Sequence, residues 1–199
     1  MSPELHALRC GKITASRIAD VMMKPDKSGY QNYMAELVCE RLTGRQREGY
    51  SSALMQRGNE LEPIAKAHYE ALTGLFVDDG GFVNHPVIER AGASPDGLVG
   101  ENGLTEFKAR TEAIHIETIL TGKIKLYQTY QIQWQLACTG RAWCDSISFH
   151  PDFPHELQMD VIRVYPDFKM IAEITEAVKR FDEEVEIKLQ ELRKIMEIK

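Results

Sequence analysis

The chain has 199 residues, with 24 Lys+Arg against 30 Asp+Glu and a formal charge of −6. With 43% hydrophobic and 27% charged residues it has a globular composition, long enough for a real core and unlike a disordered or collagen-like chain. No run of about 18 apolar residues occurs, which excludes a transmembrane helix, and the acidic total argues against a wholly basic DNA-coating surface while leaving room for a local basic channel.

The first twenty residues carry charges throughout and lack an apolar h-region, so no signal peptide and an intracellular location are expected. Cys10, Cys39, Cys138 and Cys144 are too few and too scattered for a disulfide scaffold, and buried free thiols are expected. Without repeats or linkers, residues 1–199 read as a single domain. A short helix leads to Gly11, and a second helix is entered through Thr14 or Ser16. Residues 24–29 form a turn-rich loop, and 30–42 a helix closed by Thr43-Gly44. Residues 51–72 read as a long helix with Leu54, Leu61, Ala65 and Tyr69 as its apolar side; Pro63 predicts a kink or break near Glu62.

The middle is β-like: short strands at 75–79, 81–84 and 87–90, then a strand pair, 93–99 and 104–109, around a turn at 100–103. Helical patterns return at 111–120 and 127–139, followed by a closing strand pair at 141–149 and 156–165. From Asp167, which caps it, an amphipathic helix runs over about 167–198 with Phe168, Ile171, Ile174, Val178, Phe181, Val185, Leu189 and Leu192 as its stripe. That stripe is read as core or subunit packing rather than a membrane face, since its charges are mixed. The order predicts an α/β fold with a central mixed sheet flanked by helices, N-terminal helical decoration and a long C-terminal helix.

Two features stand close together: Pro95-Asp96 and Glu106-Phe107-Lys108. On a strand, Glu106 and Lys108 share a face, and Asp96, placed in the preceding strand, is brought beside Glu106 by the hairpin. Two carboxylates and an ammonium at one spot suit a hard divalent cation between the carboxylates. Lys108 would orient or deprotonate an attacking water and steady charge on a phosphate, which is the chemistry of metal-assisted phosphodiester hydrolysis. A turn aspartate beside a solvent-facing strand would carry the same residues.

The surrounding order decides between the two: Arg9-Cys-Gly-Lys-Ile-Thr-Ala-Ser16-Arg, Arg57-Gly-Asn-Glu-Leu-Glu62-Pro, Gly92-Ala-Ser94-Pro-Asp96-Gly-Leu, Leu104-Thr-Glu106-Phe107-Lys108 and Tyr130-Gln131-Ile-Gln133-Trp. Over residues 5–165 this resembles the phage recombination nucleases typified by lambda exonuclease, the YqaJ-type alkaline exonucleases of the PD-(D/E)xK superfamily. The resemblance implies Asp96 and Glu106 as metal ligands, the Phe107 carbonyl as a third, Lys108 as the catalytic lysine, and Glu62 as binding a second ion or a metal-bound water. It implies Gln131 as the glutamine that places water or lysine, with Gln133 as the alternative register, and Arg9, Ser16 and Ser94 as a pocket for a 5′-phosphate.

It further implies a core of PD-(D/E)xK type and Mg2+, with Mn2+ a substitute and two ions per site. The activity implied is a 5′→3′ double-strand DNA exonuclease of a phage or prophage, releasing mononucleotides for strand-annealing recombination in the host cytoplasm. A ring-shaped homotrimer and a single-strand annealing protein are the implied partners. Lys12, Arg17, Lys24, Lys27, Arg45 and Arg47 are candidates for a basic channel. An endonuclease, a non-catalytic DNA-end-binding protein and a structural subunit are the alternatives. His150 and His155 lack the partners of a zinc site, and the cysteines lack the spacing of an iron–sulfur cluster, so neither is expected.

Overall fold

The closing strand pair expected at 141–149 and 156–165 forms in the computed structural model, which describes residues 3–46 and 53–198. In chain order the elements are α1 (Pro3–Arg9), β1 (Ile13–Thr14), a 3-10 turn (Ala15–Arg17), α2 (Ile18–Val21), α3 (Ser28–Thr43) and α4 (Ala53–Thr73). Then come β2 (Val77–Asp78), β3 (Val83–Asn84), β4 (Ala91–Ala93), β5 (Gly97–Val99), β6 (Gly103–Ala109), α5 (Glu112–Thr121) and α6 (Leu126–Thr139). β7 (Trp143–Phe149), a second 3-10 turn (His155–Leu157), β8 (Met159–Val164) and α7 (Phe168–Ile198) complete the chain.

The fold is mixed α/β, as the element order predicts, with two sheets rather than one. The central sheet has the order β2-β5-β6-β7-β8 and the smaller one β1-β4-β3. β6 and β7 pair in parallel from Gly103↔Trp143 to Ala109↔Phe149, and the other pairs of the central sheet are antiparallel. The crossover between the parallel strands is α5 and α6, as such a connection requires. Because β6 is central and covered on both faces, its first five residues are all buried. Ala65 and Tyr69 of α4 pack one face against Phe107, Ile147 and Phe149. Ile132 and Leu136 of α6 cover the other, against Leu104 and Cys144. The opposite side of α6, with Trp134 and Cys138, enters a second core made by α2, α3, β4 and α7. α6 is therefore the layer between the two sheets.

Several elements differ from expectation for local reasons. The segment 93–99 is not one strand: β4 belongs to the small sheet and β5 to the large one, and Ser94-Pro95-Asp96 is the crossing between them. Asp96 therefore lies in a connection, not in a strand. Residues 87–90 form a turn, whose Ile88 carbonyl accepts from Ala91 N–H at 3.1 Å. Thr14 lies on β1, in parallel register with Gly92, and caps no helix with its side chain. α4 runs unbroken through Pro63. Pro63 and Asn59 are both exposed, so water can satisfy the Asn59 carbonyl that the proline cannot. Leu54 and Arg47 lie where side chains are outside the described residues.

The C-terminal helix is confirmed, with Asp167 Oδ1 accepting from the N–H groups of Lys169 and Met170 at 3.0 Å each. Its buried stripe is Ile174, Ala177, Val178, Phe181, Val185 and Leu189, while Phe168 and Leu192 are exposed because the core ends before they are reached. Of the cysteines only Cys138 and Cys144 are buried; Cys10 is half-buried and Cys39 exposed.

Candidate active site

β6 places Glu106 and Lys108 on the face turned toward α6, two residues apart as alternation requires. Glu106 has no exposed surface, yet it is a carboxylate. Three donors compensate it. Gln131 Nε2 donates to Oε1 at 2.6 Å, Gln135 Nε2 donates to Oε2 at 2.6 Å, and the Lys108 ammonium pairs with Oε1. Asp96 reaches the same strand by another route: its Oδ2 accepts from the Phe107 backbone N–H at 2.7 Å. The crossing from β4 to β5 thus delivers Asp96 beside Glu106, although not by the strand-to-strand pairing expected from the sequence.

Glu62 projects from α4 into the cleft formed with Asp96, Phe107, Lys108, Ala109 and Phe149, a cavity of about 400 Å3. The charges in this cleft act on one another. Burial, then the charge of Glu106, raises the Asp96 pKa well above the usual aspartate range, against the pull of Lys108 and the Phe107 N–H. Burial and Glu106 likewise raise Glu62. For Lys108, burial lowers the pKa but Glu106 and Asp96 outweigh it, so the net direction is up. The charges of Glu106 and Asp96 thus favour the ammonium form of Lys108, which suits it to steadying negative charge and orienting water.

Asp96 and Glu62, each raised by burial and by the charge of Glu106, with one lysine among the three, have the electrostatics of a divalent-cation site. Asp96, Glu106, Glu62 and the Phe107 carbonyl are the oxygens that would hold such ions. Among the described residues no three His, Cys, Asp or Glu side chains already converge as a ligand cage. Glu106 Oε1 already pairs with the Lys108 ammonium, so an ion bound at that oxygen would compete with it.

Gln131 and Gln133 have different partners. Gln131 holds Glu106, whereas Gln133 faces away, donating to the Tyr165 carbonyl at 2.9 Å and accepting from Asp167 N–H at 2.8 Å. Gln135 was not singled out in the sequence. Its signal is the separation of four from Gln131, which puts both on one helix face.

Of the three residues expected to take a phosphate, Ser16 lies in the 3-10 turn that follows β1 and Ser94 directly follows β4, the two strands running parallel with Thr14 opposite Gly92. Ser94 Oγ is buried with no hydrogen-bond partner, while Ser16 is exposed. Arg9, at the end of α1, is half-buried; burial lowers its pKa while Tyr33 and Glu40 raise it. Tyr33 is in turn tied to this end of the small sheet, accepting from Thr14 N–H at 3.0 Å. Among the candidate channel bases, Lys24, Lys27 and Arg45 are exposed, and Lys12 donates to Asn84 at 2.5 Å and lies over Phe82. Arg17 is already paired with Asp20 and Glu36, both at 2.7 Å.

A family model described as a YqaJ-like viral recombinase domain matches residues 4–142. No curated protein matches. Among solved structures the chain is similar to an alkaline exonuclease, LHK-Exo, from Laribacter hongkongensis, at 47% identity and TM-score 0.93 over 100% of each chain. A structure of LHK-Exo in complex with dAMP matches at 48% identity and TM-score 0.93, again over 100% of each chain. A phage related exonuclease from Haemophilus somnus 129PT shares the fold, with TM-score 0.69 at 15% identity over 91% of this chain and 96% of that one. Among the described residues no helix is long and apolar enough to cross a membrane.

Proposed function

The chain belongs to the YqaJ-like viral recombinase domain family, and from that premise we propose that it is a metal-dependent 5′→3′ exonuclease of double-stranded DNA. In this reading it releases 5′-mononucleotides and leaves a 3′ single strand for an annealing protein, in the cytoplasm of a bacterial host. The similarity to an alkaline exonuclease over the whole chain supports the nuclease part. The observation that supports metal dependence is Glu106, a carboxylate with no exposed surface, gripped by two glutamines and a lysine beside Asp96.

Asp96, Glu106 and Glu62, with the Phe107 carbonyl, would hold Mg2+, or Mn2+ in its place, and two ions would supply Lewis-acid polarisation of the scissile phosphate and activation of water. The side chains have their own tasks. Gln131 and Gln135 fix the plane of the Glu106 carboxylate. Lys108, as an ammonium, orients the attacking water and balances charge growing on the phosphate. Arg9, Ser16 and Ser94 would take the 5′-phosphate, through a planar guanidinium and hydroxyl donors. A homotrimeric ring around the duplex would keep the enzyme on its substrate.

The test is digestion of linear duplex with a 5′-phosphate, beside 5′-hydroxyl duplex and covalently closed circles, with Mg2+ and with chelator. Metal-dependent loss of the phosphorylated linear DNA, abolished in Asp96→Asn, is expected. Cutting of closed circles would replace the proposal by an endonuclease, and no cutting of any substrate by a DNA-end-binding protein.

A further inference from the structure

One cation beside the cleft has no role in this scheme. Arg110 follows β6 directly, and its N–H donates to the Phe149 carbonyl at 3.1 Å, so the ladder with β7 carries on through it. Alternation therefore sets Glu106, Lys108 and Arg110 on one face, with successive members about 7 Å apart. α6 meets this row with glutamines at helical spacing. Gln131 and Gln135 hold Glu106, and fully buried Gln128 accepts from Arg110 Nη2. Gln128 is itself fixed by donating to Ser146 Oγ at 2.8 Å, and Tyr127 Oη accepts from Arg110 Nη1 at 2.8 Å.

Both partners of the guanidinium are neutral. Among the described residues no carboxylate pairs with Arg110, whereas Arg17, Arg41, Arg90 and Arg163 each have one. Its Nε is buried without an acceptor, a cost that folds retain mainly where function needs the group. The result is a half-buried cation, fixed in orientation, with donors to spare and no counter-charge. A planar fork in that state matches the oxygens of a phosphate.

We propose that Arg110 binds a non-bridging oxygen of a backbone phosphate in the DNA strand being cut, and so aligns that strand with Lys108 and the Asp96–Glu106 pair. The inference rests on the nuclease reading above and adds a substrate-binding group to it. Arg110→Gln and Arg110→Lys are compared with the unaltered protein in two assays: steady-state digestion of linear duplex, and DNA binding without divalent metal across a salt series.

In Arg110→Gln the KM should rise about tenfold, and the slope of log affinity against log salt should become shallower by about 0.7–0.9, the loss of one phosphate contact. Arg110→Lys keeps the charge and should restore the slope with only part of the KM. Tyr127→Phe, at a half-exposed side chain, loosens one anchor and should raise KM about threefold. Unchanged KM and slope in a folded Arg110→Gln overturn the proposal. If that variant does not fold, unchanged KM in both Arg110→Lys and Tyr127→Phe does so instead. Unaltered protein that digests no DNA would refute the nuclease reading, while the salt slopes would still decide whether Arg110 touches phosphate.

Discussion

Gln135 donates to one oxygen of Glu106 at 2.6 Å, and one helical turn earlier Gln131 donates to the other at the same distance. A buried carboxylate held at both oxygens cannot rotate, so any ion it binds has a fixed direction of approach. Truncating either glutamine should lower kcat about tenfold with little change in KM, the worth of one hydrogen bond to a charged group. Since both act on one carboxylate, Gln131→Ala combined with Gln135→Ala should cost less than the product of the two. Multiplicative losses in steady-state kinetics would show that the glutamines do separate work.

Gly80 supports the site from outside. A Cβ there would lie 2.1 Å from the Pro95 carbonyl oxygen and 2.9 Å from its carbon, both backbone atoms that cannot yield cheaply. Gly80→Ala should push the crossing and displace Asp96, with a loss of activity of about a hundredfold. Gly81 is the control: its φ is +59 but a Cβ would meet nothing within 4 Å, so Gly81→Ala should cost about 1 kcal/mol of stability and leave activity alone. Equal activities of the two variants would sink this account.

Tyr69 is buried under the central sheet and donates to Asp145 Oδ2 at 2.7 Å. Asp145 is also gripped by Arg163 at 2.7 and 2.8 Å, and that guanidinium lies 3.8 Å from the centre of the Trp143 ring. Tyr69→Phe keeps the ring and deletes one donor to a buried charge, which should lower unfolding free energy by about 2 kcal/mol in urea titrations. A loss below about 0.5 kcal/mol would mean that Arg163 alone satisfies Asp145.

His85 stacks on Trp134 with ring centroids 4.7 Å apart, and its Nδ1 accepts from the N–H groups of Val87 and Ile88 at 3.2 and 3.0 Å. Burial, then Lys179, lowers its pKa below 6.5, so the folded chain holds this ring neutral. Between the folded and unfolded pKa values the unfolded chain binds more protons, so stability rises with pH there. The contribution is complete above about pH 6.5 and is lost as the pH falls through that value toward the lower folded pKa. His85→Asn, whose carboxamide oxygen can still accept, should flatten the fall of thermal midpoint below pH 6.5. An identical pH profile in the variant would assign the effect to other groups.

The central strands and the C-terminal helix were legible because their periods are long and uninterrupted. So was the pair Glu106 and Lys108, since alternation on one strand is a purely local rule. The division of 93–99 was not legible. β4 pairs with β1, nearly eighty residues away, through a two-residue strand that no periodicity can announce. Pro63 misled in the other direction, because the penalty for proline in a helix depends on whether water reaches the carbonyl it abandons. Among the α6 glutamines, the resemblance put Gln131 first and left Gln133 as the alternative register; the two part in the packing of Gln133 against the residues before α7.

The crossing from β4 to β5 also bears on product length. Ser94 and Asp96 are two residues apart, so their Cα atoms are separated by about 7 Å at most. On the proposed assignments, one end of this segment would touch the 5′-phosphate and the other would help hold the ions that activate water against the next phosphodiester. The peptide is then a measuring rod with room for a single nucleotide between its marks. Counting would then rest on covalent geometry, and lengthening the rod by one inserted residue should blur or abolish the proposed mononucleotide step.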